Sequence, residues 1–129
     1  MSKLSAGSLL LVVVTACTAK LSSTVTLDGQ PFTPTECRNG SALGFVGVEL
    51  SDAQNRKVRL VSQPDGQAQA YVFAANATKG ALIGACGPLA LANQNSKVNN
   101  VKNIEGKATL SCTAKEGALT GEITFANCH

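Results

Sequence analysis

The sequence predicts an all-β domain, either a small antiparallel β-sandwich or a barrel, with about seven short strands and two disulfides. Three observations support this class. Apolar and polar residues alternate over short runs, turn dipeptides such as Asp-Gly separate these runs, and no stretch has a convincing amphipathic helical period. The core is expected to be light, because the chain has no Trp and only five Phe and Tyr residues in total.

The first predicted elements are a short strand and a longer one. Val25–Leu27 predicts a strand that ends at the turn Asp28-Gly29. Leu43–Leu50 alternates with period two, which predicts a second strand with Val46 on the same face as Val48 and Leu50.

Residues 57–61 and 68–73 flank a Pro-Asp-Gly turn and predict a β-hairpin. A turn centred on Asp65-Gly66 places Leu60 opposite Tyr71, so both are expected on one apolar face.

The middle of the chain is less regular. Ala81–Cys86 predicts a strand, and Gly87-Pro88 is expected to end it. Leu89–Ala92 is compatible with a single helical turn. Residues 93–103 contain five asparagines and few apolar residues, so they predict a long loop or an exposed edge strand.

A second hairpin is predicted from residues 107–113 and 118–125, with Glu116-Gly117 at its tip. In this register Leu110 faces Ile123. One face is then apolar and the other polar, as expected of an antiparallel sheet that covers a core.

The same register constrains the disulfides. It places Cys112 opposite Gly121, so Cys128 lies roughly 24 Å further along the strand, whereas a bridge needs α-carbons within about 7 Å. Cys112–Cys128 is therefore disfavoured. Cys37–Cys128 with Cys86–Cys112, and Cys37–Cys112 with Cys86–Cys128, both remain, and the first is favoured.

The predicted domain contains no evident catalytic, metal or cofactor site, so we expect it not to be an enzyme. There is no Cys-x-x-Cys pair, and the only histidine, His129, is the last residue and is interpreted as a solvated end. Asp28, Asp52 and Asp65 lie at predicted turns, where local hydrogen bonds to the backbone explain them.

The N-terminal segment resembles the signal peptide of bacterial lipoproteins. Lys3 precedes an uncharged, mostly apolar run that ends in Val14-Thr15-Ala16-Cys17. These four residues resemble the lipobox, with Val14 and Thr15 where its usual form has Leu and then Ala or Ser. The resemblance implies that the Cys17 thiol carries a diacylglycerol, with palmitate among the expected acyl groups. It also implies cleavage before Cys17 and a membrane location. Thr18, in place of Asp, implies sorting to the cell outer membrane of a Gram-negative host.

These observations divide the chain into a signal peptide (1–16), a lipidated tether (17–24) and one β domain (25–129). An ordinary secretory leader cleaved after Ala16 or Ala19 is the alternative. The cysteine count favours lipidation, because four of the five cysteines can pair and one remains for the lipid.

The expected function is that of a non-catalytic lipoprotein with a structural or interaction role in the envelope. Its partners would be the membrane, through the lipid, and an envelope protein or glycan. Nucleic acid is not expected, because the net charge without the leader is only +2 and Lys and Arg are scattered. The alternative is a disulfide-rigid binding or inhibitor module that presents residues 93–103 to a glycan or protein. Its candidate binding residues are Asn93, Asn95, Asn99 and Asn100.

Three neighbouring cations, Arg56, Lys57 and Arg59, form the densest basic cluster of the sequence. They are interpreted either as a site for an acidic glycan or lipid headgroup or, preferably, as a solvated hairpin face.

Overall fold

The computed structural model describes residues 18–129, so the predicted signal peptide and Cys17 lie outside the described residues. The regular secondary structure of the described residues is all strand apart from one 3₁₀ turn at Gly40–Leu43. The strands are β1 (Lys20–Ser23), β2 (Thr26–Leu27), β3 (Gln30–Pro31), β4 (Pro34–Asn39), β5 (Gly47–Asp52), β6 (Lys57–Ser62), β7 (Gln67–Phe73), β8 (Ala81–Val98), β9 (Val101–Ala114) and β10 (Gly117–Cys128).

The strands form one antiparallel sheet in the order β3-β2-β10-β9-β8-β7-β6-β5-β4, and β1 also pairs with β10. The sheet curls so that its two halves face each other across one core. Strand β8 belongs to both halves, because it pairs with β7 up to Pro88 and with β9 from Leu89 onward. The predicted all-β antiparallel class is confirmed. Residues 18–129 contain no helix with the length and apolar character needed to cross a membrane.

The core takes apolar side chains from both halves of the sheet. Val48, Leu60 and Ala70 come from one half, and Leu119 and Ile123 come from the other, all of them fully buried. Because several of these side chains are small, the disulfides matter more for stability than they would in a core rich in aromatic residues.

Two disulfides join distant strands. Cys37 on β4 is bonded to Cys128 on β10, and Cys86 on β8 is bonded to Cys112 on β9. This is the favoured pairing of the two that the sequence left open. The register behind the argument is corrected by two residues, because Cys112 pairs with Leu119 rather than with Gly121.

The hairpin predicted over residues 57–73 is present, but the predicted register is wrong by one residue. Leu60 pairs with Ala70, and Tyr71 pairs with Arg59 on the outer face. The loop holds three residues, Pro64 to Gly66, with Gly66 in a left-handed conformation at φ +83°. A slip of one residue moves every side chain to the other face.

The middle of the chain corrects the prediction most. Ala81–Val98 is one continuous strand, with neither an end at Gly87-Pro88 nor a helical turn at Leu89–Ala92. Gly87 lies where β8 passes from one neighbour to the other, and a Cβ there would collide with the carbonyl oxygen of Thr109. The glycine therefore permits close approach of two strands instead of ending one.

The strand predicted over Leu43–Leu50 begins later than expected. Its first residue is Gly47, and Val46 precedes it with 69% of its surface exposed, whereas Val48 is fully buried. Val46 therefore lies on a connecting segment at the surface and does not share the core face of Val48.

The tether predicted over residues 17–24 is also corrected. Lys20–Ser23 forms β1 and pairs with β10 from Ala126 to Ile123. The amide of Asn127 donates a hydrogen bond to the carbonyl oxygen of Thr18, with 3.1 Å between Nδ2 and O. The chain is therefore attached to the fold from Thr18 onward.

Candidate binding groove

The asparagine-rich stretch forms the end of a hairpin between β8 and β9. Val98 pairs with Val101, and Asn99 and Asn100 form the turn with φ of 49° and 66°. Two left-handed residues in succession are typical of a type I′ turn, which asparagine tolerates better than most residues. The long loop is therefore wrong, and the exposed edge strand, the other predicted alternative, is correct for residues 93–98, which pair with β9 on one side while β7 pairs no further than Pro88.

A groove of about 610 Å³ runs beside this hairpin. One wall is the hairpin, and the other is the segment between β4 and β5, which brings Phe45 and the exposed Val46 to the surface. Of the four asparagines that the sequence proposed for binding, Asn93 and Asn100 line the groove. Its remaining lining residues are Asn39, Ser41, Ala42, Gly47, Leu91, Ala92, Val101, Lys102 and Ile104.

A second depression of about 540 Å³ adjoins the same hairpin turn. Asn99 lines it, together with Arg38 from β4, His129 and the first described residue, Thr18. Asn95 is exposed and lines neither space. The four predicted binding residues are thus distributed over two adjoining depressions and the open surface.

A buried asparagine joins the two walls of the groove. Asn39, with 7% of its surface exposed, donates from Nδ2 to the carbonyl oxygen of Lys102 at 2.9 Å. Its Oδ1 accepts a hydrogen bond from the backbone N–H of Ser41 at 3.0 Å. Because both functions of the buried amide are satisfied, it holds the 3₁₀ turn and the hairpin at a fixed separation.

Asn103 fixes the base of the hairpin from the inside. Its side chain is buried, donates from Nδ2 to Ser96 Oγ at 2.8 Å, and places Oδ1 3.0 Å from Nδ1 of His129. His129 is partly buried by this contact, which corrects its interpretation as a solvated end. Since a carboxamide oxygen only accepts, the contact requires the His129 tautomer that carries hydrogen on Nδ1.

Gln94 and Asn127 form a reciprocal pair across the fold. The backbone N–H of Asn127 donates to Oε1 of Gln94 at 2.8 Å, and Nε2 of Gln94 donates to Oδ1 of Asn127 at 3.0 Å. The remaining amide hydrogens of Asn127 reach Thr18. These contacts attach the hairpin to β10 and to the start of the described chain.

The amides therefore divide into two groups. Asn39, Gln94, Asn103 and Asn127 are satisfied within the fold. Within residues 18–129, by contrast, no side-chain hydrogen bond engages the four asparagines predicted to bind. Their amides are free to hydrogen-bond to a partner, although the backbone of the turn alone accounts for the choice of Asn99 and Asn100.

The basic cluster at residues 56–59 is not a free anion site. Arg59 Nη2 lies 2.6 Å from Oε2 of Glu49, a buried carboxylate, and Lys57 Nζ lies 4.0 Å from Oε1 of the same residue. The Arg59 guanidinium also lies 4.8 Å from the ring centroid of Phe45 and 5.0 Å from that of Phe73. Arg59 thus supports Phe45, a wall residue of the groove.

The third cation of the cluster is also paired. Arg56 Nε lies 2.7 Å from Oδ2 of Asp52, whose Oδ1 accepts from two backbone N–H groups. Asp65 accepts from the N–H of Gln67 in its own turn. Asp28 instead accepts from the N–H of Ala118 on β10, so its bond is long-range rather than local.

Chemically, the groove offers amide donors and acceptors beside short apolar side chains, which suits recognition by hydrogen bonds and contact. Within the described residues no group of three or more His, Cys, Asp or Glu side chains is placed to hold a metal ion. Sequence reasoning missed Asn39, Phe45 and Val46 as lining residues. The positions of Phe45 and Val46 depend on where β5 begins, and the alternation of apolar and polar residues did not predict that residue.

Protein-family models, curated proteins and solved structures contain no match to this chain. The function is therefore argued from the groove, the hairpin and the cysteine pairing.

Proposed function

We propose that this chain is a non-catalytic lipoprotein of the bacterial cell envelope, anchored through Cys17 in the outer membrane of a Gram-negative host. The pairing of the cysteines carries the proposal. Cys37, Cys86, Cys112 and Cys128 satisfy one another within the fold. Cys17, the fifth cysteine, has no disulfide partner among them and ends the lipobox-like sequence. Several acyl chains on that residue would give stable membrane attachment.

Fractionation of cells that express the full chain tests the anchor. The native protein is expected in the outer-membrane fraction and labelled by radioactive palmitate. Cys17→Ala should be unlabelled and released from the membrane, because it removes the thiol that would carry the lipid. Cys17→Ala that stays membrane-bound and equally labelled would refute the anchor.

A second candidate function is that of a binding or inhibitor module that recognises a glycan or protein through the groove. The observation in its favour is the placement of Asn93 and Asn100 opposite the exposed Val46 in one groove whose walls are joined by Asn39. A groove with fixed walls loses little conformational freedom on binding, which favours affinity.

Crosslinking and pull-down from the native envelope tests this second function. Asn93→Ala and Asn100→Gly remove two groove amides, and glycine preserves the left-handed backbone that alanine at residue 100 would strain. Asn95→Ala, which lies outside the groove, is the matched control. Partner capture is expected to fall several-fold with the first two changes and to stay constant with the third. Equal capture by all variants would exclude the groove.

A further inference from the structure

The cations of this protein fall into two classes. Arg56, Lys57, Arg59 and Lys107 each lie within 4.0 Å of a carboxylate. The other six cations of residues 18–129 are exposed and form no ion pair: Lys20, Arg38, Lys79, Lys97, Lys102 and Lys115. Three of these, Arg38, Lys97 and Lys102, surround the hairpin turn. We call residues 97–102 together with Arg38 the hairpin end.

Two of these cations oppose each other directly. Lys97 pairs with Lys102 across the β8–β9 ladder. Like charges at directly opposed positions destabilise a hairpin unless a counterion lies between or above them. Two carboxylates lie near Arg38: Glu36, an exposed residue of the same depression, and Glu49, which is opposite Arg38 across the β4–β5 ladder and already pairs with Arg59 and Lys57. The local charge is therefore positive and fits a surface that carries many anionic groups.

The start of the described chain lies at the same place. Thr18 lines the depression that Arg38 and Asn99 line, and Asn127 holds its carbonyl oxygen. Cys17 is one peptide unit away, about 3.8 Å between α-carbons. Because β1 begins at Lys20, no long tether separates residue 17 from the fold. A lipid on Cys17 would therefore leave the protein beside the hairpin end.

From these observations we infer that the hairpin end docks on the anionic phosphate groups of the lipid headgroups in the membrane that anchors the chain. The inference rests on the proposed anchor at Cys17. Arg38, Lys97 and Lys102 would bind the phosphates, and the free amides of Asn99 and Asn100 would bind phosphate or glycerol oxygens. Docking would orient β9 away from the membrane. The turn that follows β9, at Lys115-Glu116, would then lie up to roughly 43 Å from the membrane surface, the length of the strand.

The orientation is measured on the lipidated protein in vesicles of phosphatidylcholine and phosphatidylglycerol in about a 3:1 ratio. The chain has no Trp, so Val98→Trp and Lys115→Trp each introduce a single fluorophore, the first at the hairpin end and the second in the turn that follows β9. Lipids with nitroxide headgroups are expected to quench Trp fluorescence several-fold more in the first variant than in the second. Equal quenching, or stronger quenching in the second variant, would overturn the inference.

A second arm measures the headgroup contact without the anchor. The Cys17→Ser form should partition onto vesicles that contain phosphatidylglycerol and should bind pure phosphatidylcholine less. The double variant Lys97→Gln with Lys102→Gln should partition about 25-fold more weakly at low salt, because each cation near an anionic membrane contributes about fivefold to binding. Lys115→Gln, an exposed lysine in the turn that follows β9, is the matched control and should change the partition less than about twofold.

The two arms separate failure of the anchor from failure of the docking. A native protein that does not sediment with vesicles refutes the lipid anchor. A Cys17→Ser form with no preference for phosphatidylglycerol, or with equal losses from the Lys97/Lys102 and Lys115 changes, refutes the hairpin end as the headgroup site.

Discussion

The outer face of β5 and β6 and the hairpin end both carry a cluster of cations, and they differ in how the charges are compensated. On the first face the guanidinium of Arg59 pairs with the buried Glu49 and lies over two phenylalanine rings. At the hairpin end, Lys97 faces Lys102, and neither has a carboxylate partner among the described residues. Satisfied polar groups indicate a structural role, and unsatisfied ones indicate what is available to a partner.

The largest expected effect concerns the Cys37–Cys128 disulfide, in which Cys37 directly precedes Arg38 of the hairpin end. Cys37–Cys128 spans 91 residues and Cys86–Cys112 spans 26. Replacing the first pair by serine should lower the free energy of unfolding by about 4–5 kcal/mol, and the second by about 3–4 kcal/mol, because the longer loop restricts the unfolded chain more. Equilibrium urea unfolding of both variants measures the order. A smaller loss for Cys37–Cys128 would mean that the hairpin end is held mainly by other contacts.

Arg59→Ala is the next test of the contrast between the two cation clusters. It leaves the buried Glu49 carboxylate with the Lys57 contact at 4.0 Å as its one remaining ion pair among the described residues, so the free energy of unfolding should fall by about 3 kcal/mol. Arg38→Ala removes an exposed, unpaired cation and should change it by less than about 0.5 kcal/mol. Thermal and urea unfolding of the two variants, measured side by side, would disprove the contrast if the losses were similar.

A buried and an exposed asparagine side chain should differ in the same way, with smaller changes in stability. Asn103→Ala removes a buried side chain that bonds Ser96 and His129, and should cost about 2 kcal/mol. Asn95→Ala alters an exposed amide without a partner and should cost less than about 0.5 kcal/mol. Urea unfolding measures both. A large loss for Asn95→Ala would show that the free amides stabilise the fold itself.

The smallest expected effect has the opposite sign. Lys97→Gln removes the like-charge pair with Lys102 and should raise the free energy of unfolding by about 0.3–0.5 kcal/mol at low salt. The gain should disappear at high salt, where exposed charges are screened. A loss of stability at low salt would mean that a counterion already compensates Lys97 within the isolated protein.

The sequence predicted both hairpins and the strand class, because turn residues and alternation are local signals. It did not give their registers. Pro64 to Gly66 forms a three-residue loop where a turn centred on Asp65-Gly66 was assumed, and this reverses the faces of Tyr71 and its neighbours. Alternation in β9 and β10 tolerated a two-residue slip, because such a slip preserves faces, and Leu110 and Ile123 are both buried as expected.

Strand β8 and the groove could not be predicted for a different reason. Gly87 and Pro88 are turn residues in most local contexts, and it takes the passage of β9 beside Gly87, together with its backbone φ of 127°, to explain a glycine inside this strand. The predicted binding asparagines could not be separated from the structural ones by composition. The burial of Asn39 and Asn103 depends on partners distant in sequence, Lys102 for the first and His129 for the second, which a single sequence does not reveal.

The position of β10 sets the order in which the fold can assemble. This last strand is the neighbour of β1, β2 and β9 at once, so until it is available β1 has no partner strand and β2 has only the short β3. Pairing of β1 and β2 with the sheet must therefore wait for nearly the whole chain, and such long-range pairing is slow. Until then Cys37 also lacks its disulfide partner, Cys128 at the end of β10. Deletion of 117–128 would deprive three strands of a neighbour in one step.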